Sequence, residues 1–222
     1  MKKLALALAT AASFGLASSA QAQGIRLGVK AGANLSNVSG NLNNQDIYKN
    51  KFGFVGGVML NVGLIDKVLS LQPEVLFSQK GFKYADNSFT FLGNTNRFSG
   101  NRTYNYIDVP VLLKVRAAGL FFEAGPQYSY LLNVRDNANY SVNGNTVTSS
   151  AANQNLDNVR RNEIGYAAGL GYEASNGFLI DVRYNGSFTD FAKDGYNGSN
   201  QDLRNARNSV FQASIGYLLG SK

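Results

Sequence analysis

The sequence predicts an all-β fold: an eight-stranded antiparallel up-and-down transmembrane β-barrel with short periplasmic turns and four long extracellular loops. Three observations lead there. Apolar and polar residues alternate with a period of two in eight separate stretches, the connections between them alternate between short and long, and aromatic residues gather at both ends of the apolar faces. A period of two is the signature of a strand with one greasy and one polar face.

Residues 1–22 are expected to be a secretory signal peptide, leaving 23–222 as the barrel domain. Lys2 and Lys3 form a positive start, Leu4 to Leu16 an apolar run, and Ala20-Gln21-Ala22 a small-x-small cleavage site. The apolar run falls short of the roughly 20 residues that a spanning helix needs.

The clearest strand is Val68 to Lys80. Leu69, Leu71, Pro73, Val75 and Phe77 share one face, and Ser70, Gln72, Glu74, Ser78 and Lys80 the other. The same pattern covers 25–35 (Ile25, Leu27, Val29 against Arg26, Gly28, Lys30) and 52–63 (Phe52, Phe54, Val58 against Gly53, Gly57, Asn61). From 106 to 116, Ile107, Val109 and Leu113 oppose Asp108, Lys114 and Arg116; from 120 to 133, Phe122, Tyr128 and Tyr130 oppose Glu123, Gln127 and Ser129. The last three stretches are 163–173 (Ile164, Tyr166, Leu170 against Glu163, Gly169, Glu173), 178–189 (Phe178, Ile180, Val182 against Asp181, Arg183, Asn185) and 209–219 (Phe211, Ile215, Tyr217 against Gln212, Ser214, Gly216).

Connections near 64–67, 117–119 and 174–177 are short hairpin turns, whereas 36–51, 84–105, 134–162 and 190–208 are long and rich in asparagine, glycine and serine. Strict alternation sends every long loop to one end, as in transmembrane barrels. A soluble lipocalin-like barrel shares the period with its apolar face inward. Lipid outside is favoured by the aromatics, with Phe122, Tyr172, Phe178 and Tyr217 on the turn side and Phe77, Tyr128, Tyr130 and Phe188 towards the loops. The polar faces then carry an internal structural network: Arg26, Lys30, Lys80, Lys114, Arg116 and Arg183 facing Glu74, Asp108, Glu123, Glu163, Glu173 and Asp181. Three prolines, Pro73, Pro110 and Pro126, fall inside strands, where a closed barrel has no edge to receive them; each should mark a bulge or a missing ladder bond.

Composition narrows the chemistry. Without Lys2 and Lys3, 19 basic residues stand against 14 acidic ones, a net charge of +5 with no clustered stripe for nucleic acid. The chain has no cysteine and no histidine, so disulfides, Ser-His-Asp and Cys-His nucleophiles and the common zinc and haem ligand sets are excluded. No catalytic residue, cofactor or metal site is expected, and the protein is not expected to be an enzyme. Glu74 and Asp108 could form an acid/base pair only with a substrate-sized cleft, which an eight-stranded barrel lacks. Asp190 to Asp202 is oxygen-rich but without the spacing of a calcium loop. A plugged barrel that offers its loops or periplasmic rim to partners fits best; a narrow pore or small-ligand carrier is the alternative.

Several motifs carry a resemblance. Gly28-Val29-Lys30-Ala31-Gly32, Leu71-Gln72-Pro73-Glu74 with Ser78-Gln79-Lys80-Gly81, Tyr106-Ile107-Asp108-Val109-Pro110-Val111-Leu112-Leu113-Lys114, Gly125-Pro126 before Tyr128, and the closing Gly216-Tyr217-Leu218-Leu219 resemble the PorT-like outer-membrane barrels of Bacteroidetes. The resemblance implies integral residence in the outer membrane after Sec-type export, contact with outer-membrane lipid, and an envelope or secretion-system protein as partner. It departs at the C-terminus, where Gly220-Ser221-Lys222 follow the aromatic signal that such barrels carry, leaving Tyr217 and Leu219 in that role.

Overall fold

In the computed structural model, described for residues 24–40, 42, 45–65, 68–91, 93–152, 156, 159–192 and 205–219, the alternating stretches become one closed ring. The expected signal peptide lies outside the described residues. The strands are β1 (Ile25–Gly40), β2 (Tyr48–Lys49), β3 (Lys51–Ile65), β4 (Leu69–Phe91), β5 (Asn94–Ala117), β6 (Leu120–Val142), β7 (Asn145–Ala152), β8 (Asn162–Glu173), β9 (Phe178–Ser187) and β10 (Ala206–Leu218). Eight of them form the ring in the order β1–β3–β4–β5–β6–β8–β9–β10, every pair antiparallel, with β10 returning to β1 from Gly28↔Leu218 to Gly40↔Ala206. Closure matters because lipid offers no partner to an unpaired N–H or C=O.

The apolar set faces out. Val29, Phe54, Val75, Leu113, Ile164, Val182 and Ile215 are exposed, while their polar neighbours Lys30, Glu74, Lys114, Glu163 and Arg183 are buried. Phe52 is 72% and Phe122 66% exposed, which across a whole belt suits a hydrocarbon solvent. Tyr172, Phe178 and Tyr217 are exposed beside Phe122 at the turn end, with Leu219 next to them; Tyr128 and Phe188 are exposed nearer the loops. Phe77 and Tyr130 are half-buried.

Two of the four expected long loops are corrected. The segment 84–105 is strand on both sides of a tight turn, and 134–152 is a second hairpin, turning at Asn143–Gly144. Asn143 (φ 51°) and Gly144 (φ 86°) repeat the left-handed pair seen at the short turn Ala118–Gly119 (φ 51° and 86°), the conformation whose twist matches a two-residue hairpin. These extensions stand beyond the lipid belt, so nothing in the sequence imposes the alternation that lipid imposes lower down. The result is a four-stranded sheet, β4–β5–β6–β7, standing above the barrel on the loop side.

The prolines resolve as missing ladder pairs rather than bulges. Pairing of β4 with β5 stops after Pro73↔Val111 and resumes at Leu76↔Asp108 in the same register. Pairing of β5 with β6 likewise stops after Pro110↔Gln127 and resumes at Leu113↔Ala124. The register shifts lie elsewhere: between Gly63 and Ile65, between Tyr84 and Asn87, and at Asn105/Tyr106, opposite Leu131–Asn133. Three prolines on three adjacent strands thus make a diagonal seam with fewer hydrogen bonds and no change of face.

Val75, 49% exposed on the lipid face of β4, supplies a direct check of orientation. Val75→Arg should cost about 2–4 kcal/mol if the side chain lies near the bilayer midplane. Urea titration of folding into phospholipid vesicles measures this, and an unchanged midpoint would contradict a lipid-facing Val75.

Candidate functional site: a charge lattice filling the barrel

Every second residue of a barrel strand points inward, and the tilt of the strands stacks those residues in layers. The twelve charged side chains named above fall into three such tiers. Nearest the turns, Glu173 gathers three cations: Arg26 Nη1 at 2.7 Å and Arg116 Nη1 at 3.1 Å on Oε1, and Lys114 Nζ at 3.0 Å on Oε2. In the middle tier Arg183 holds three carboxylates, Glu74 at 2.8 Å, Glu123 at 2.6 Å and Asp181 at 3.4 Å. Lys30 completes it, 2.8 Å from Asp181 and 3.4 Å from Glu74. Towards the loops, Lys80 lies 2.9 Å from Asp108 and 3.8 Å from Glu163.

Six positive and six negative charges make the lattice neutral, although no single tier is. Neutral side chains carry the links between charges. Gln72 donates to Glu74 (2.8 Å) and accepts from Lys114 (3.4 Å), so it joins the lower and middle tiers. Asn61 donates to Ser70 and Gln72 while accepting from Arg26, Asn208 donates to Glu163 (2.5 Å), and Ser214 donates to Asp181 (2.8 Å).

Apolar side chains, of which sequence reasoning placed only Tyr106 on the inward face, close the lattice from both ends. Met59, Phe121, Leu179 and Leu218 form a buried floor, with Lys114 Nζ 3.7 Å from the centre of the Phe121 ring. Gly171 makes room for it, since a Cβ there would stand 2.4 Å from Phe121 Cζ. Towards the loops, Val38, Tyr48, Phe82, Tyr104, Tyr106, Leu131 and Val134 form a cap, and Lys80 Nζ lies 4.5 Å from the centre of the Tyr106 ring. The inward parity of Phe121 and Tyr106 was visible in the sequence; Phe82 and Tyr104 sit beyond the alternating stretches, where parity gave no guide.

Glu74 is 1% exposed between Arg183, Lys30 and Gln72, and Asp108 is tied to Lys80 in a different tier. The structure does not bring these two carboxylates together as a pair. Among the described residues no group of three or more carboxylates is arranged to hold a metal ion. Asp190 is bound by Arg207 at 2.7 Å, and 193–202 of the oxygen-rich loop lie outside the described residues.

Residues 19–193 match the family described as outer membrane protein beta-barrel domain. The chain belongs to that family. It is an integral outer-membrane β-barrel protein, in contact with membrane lipid. No curated protein matches the sequence. Among solved structures it is similar to Ail, the attachment invasion locus protein of Yersinia pestis, at 15% identity over 88% of this chain and 99% of that one (TM-score 0.42). Neisserial surface protein A is similar at 12% identity over 88% and 99% (TM-score 0.42), and the outer membrane protease OmpT of Escherichia coli at 10% over 92% and 99% (TM-score 0.38).

Removing Arg183 leaves buried Glu123 without an ion-pair partner and Lys30 alone between Glu74 and Asp181, so Arg183→Met should lower stability by about 3–5 kcal/mol. Arg207→Gln breaks a pair that is 46% and 37% exposed and should cost about 0–1 kcal/mol. Urea midpoints of the detergent-folded variants compare the two; equal losses would contradict a lattice that depends on Arg183.

Proposed function

We propose that this protein is a side-chain-filled barrel that works as a structural and interaction module rather than as an enzyme or a pore. The observation that carries the reading is the neutral lattice, whose twelve charged groups spend their charge on one another between an apolar floor and an aromatic cap. A conducting lumen needs charged or polar groups left to water and ions. An acid/base site needs a carboxylate free to take a proton beside a cleft, and Glu74 and Asp108 are engaged elsewhere.

What the chain offers to partners is the sheet above the barrel. β7 pairs with β6 on one side only, among the described residues, so its other edge presents backbone groups to an extended peptide. Phe98 and Tyr140, 4.6 Å apart across β5 and β6, expose an aromatic pair on the same sheet. The PorT-like motifs make a secretion component of the envelope the first partner to test, and a Bacteroidetes envelope its setting.

Purified protein in planar bilayers should show no sustained single-channel conductance, and a steady ion current would overturn the filled-barrel reading in favour of a narrow pore. Replacing 139–148 with Asn-Gly should leave the heat-modifiable gel shift of the folded barrel intact while abolishing crosslinks made from that hairpin in whole cells. Loss of the gel shift would mean that the upper sheet is part of the barrel's own stability.

A further inference from the structure

Each cation of the lumen lattice has a carboxylate within ion-pair distance, and outside it Arg102 and Arg207 are paired with Asp136 and Asp190. A cluster of three lysines stands on the loop side. Lys49 of β2 and Lys83 of β4 are register partners, so their side chains leave the same face of the sheet side by side, and both are exposed. Like charges directly opposite one another destabilise a strand pair. Lys51, buried just below, donates only to the Phe52 carbonyl (3.3 Å), and none of the three has an ion-pair partner among the described residues.

Their height decides what can relieve them. Lys83 continues the outward face of β4 that carries Leu69, Val75 and Phe77. Lys49 stands just beyond Phe52, the exposed aromatic that marks the loop-side end of the lipid belt on β3. Three residues of a tilted strand rise roughly 7 Å, the step from hydrocarbon to headgroup, and lysine stems reach further along the interface. We propose that Lys49 and Lys83, backed by Lys51, form a binding site for the phosphate of an anionic lipid in the leaflet facing the loops. A phosphate accepts from both ammonium groups and replaces their repulsion with two charge-assisted hydrogen bonds.

The test uses the full chain folded in a neutral detergent, with diphosphoryl lipid A, dephosphorylated lipid A and inorganic phosphate as probes, and binding read by native mass spectrometry. Lys49→Gln/Lys83→Gln should weaken diphosphoryl lipid A about 25-fold, roughly fivefold per lysine. Dephosphorylated lipid A should bind the unaltered protein as weakly as diphosphoryl lipid A binds the double variant. Arg97→Gln, which removes the same charge from the far part of the upper sheet, should change nothing. The heat-modifiable gel shift verifies that each variant is folded, and Lys83→Gln alone serves if the double variant is not. Undiminished binding by the folded variant, or an equal loss in Arg97→Gln, would overturn the proposal. Inorganic phosphate binding as tightly as lipid A would assign the site to a free anion instead.

Discussion

A charge on a strand that crosses lipid has one direction in which it can point. The structure depends on this constraint, because an inward charge in a narrow lumen has no bulk water and must find its opposite across the barrel. The ladder bonds join neighbours only. Many of the ion pairs join strands that are not neighbours: Arg26 of β1 to Glu173 of β8, Glu74 of β4 to Arg183 of β9, Lys80 of β4 to Glu163 of β8. The ring is therefore braced through its middle as well as bonded around its rim. Each brace is satisfied only when distant parts of the chain have closed on one another.

The same constraint explains what could be read in advance. Between lipid and lumen a strand lives in two solvents, and its sequence must alternate; the eight strand cores and the inward set from Arg26 to Arg183 were legible for that reason. Above the membrane no lipid face imposes that alternation. Asn94 to Asn105 and Asn145 to Ala152 form strands without a period of two, and they read as loops. Which charge meets which was also hidden. That Glu173 serves three cations and Arg183 three carboxylates follows from tilt and shear, which place residues of distant strands at one height. The prolines stood between these cases: their conflict with a closed sheet was plain, but only the ladder shows that pairs are skipped while the register holds.

Strand length separates a shorter and a longer side of the barrel, with β1 and β3 (16 and 15 residues) between them. β8, β9 and β10 run 12, 10 and 13 residues, close to the roughly 9–11 needed to cross a bilayer. β4, β5 and β6 run 23, 24 and 23 residues. The longer side passes without a break from the charge lattice, through the aromatic cap, into the upper sheet, so the lattice is the foundation of that sheet. Arg102 and Asp136, bidentate at 2.5 Å just above the cap, add an ion pair between register partners of the neighbouring strands β5 and β6 where they leave the barrel.

A filled interior and a raised sheet are then consequences of one design rather than two features. A surface that binds a partner loses less entropy when it is held still beforehand. A sheet on a hollow or mobile base would have to be ordered at each encounter. Here three of its four strands are continuous with walls that six ion-paired cations lock from within, and the turn at Asn143–Gly144 returns the chain directly to give the fourth. On the proposed interaction-module reading, the lumen gives up use as a passage, and rigidity at a distance from the membrane is what that sacrifice supplies.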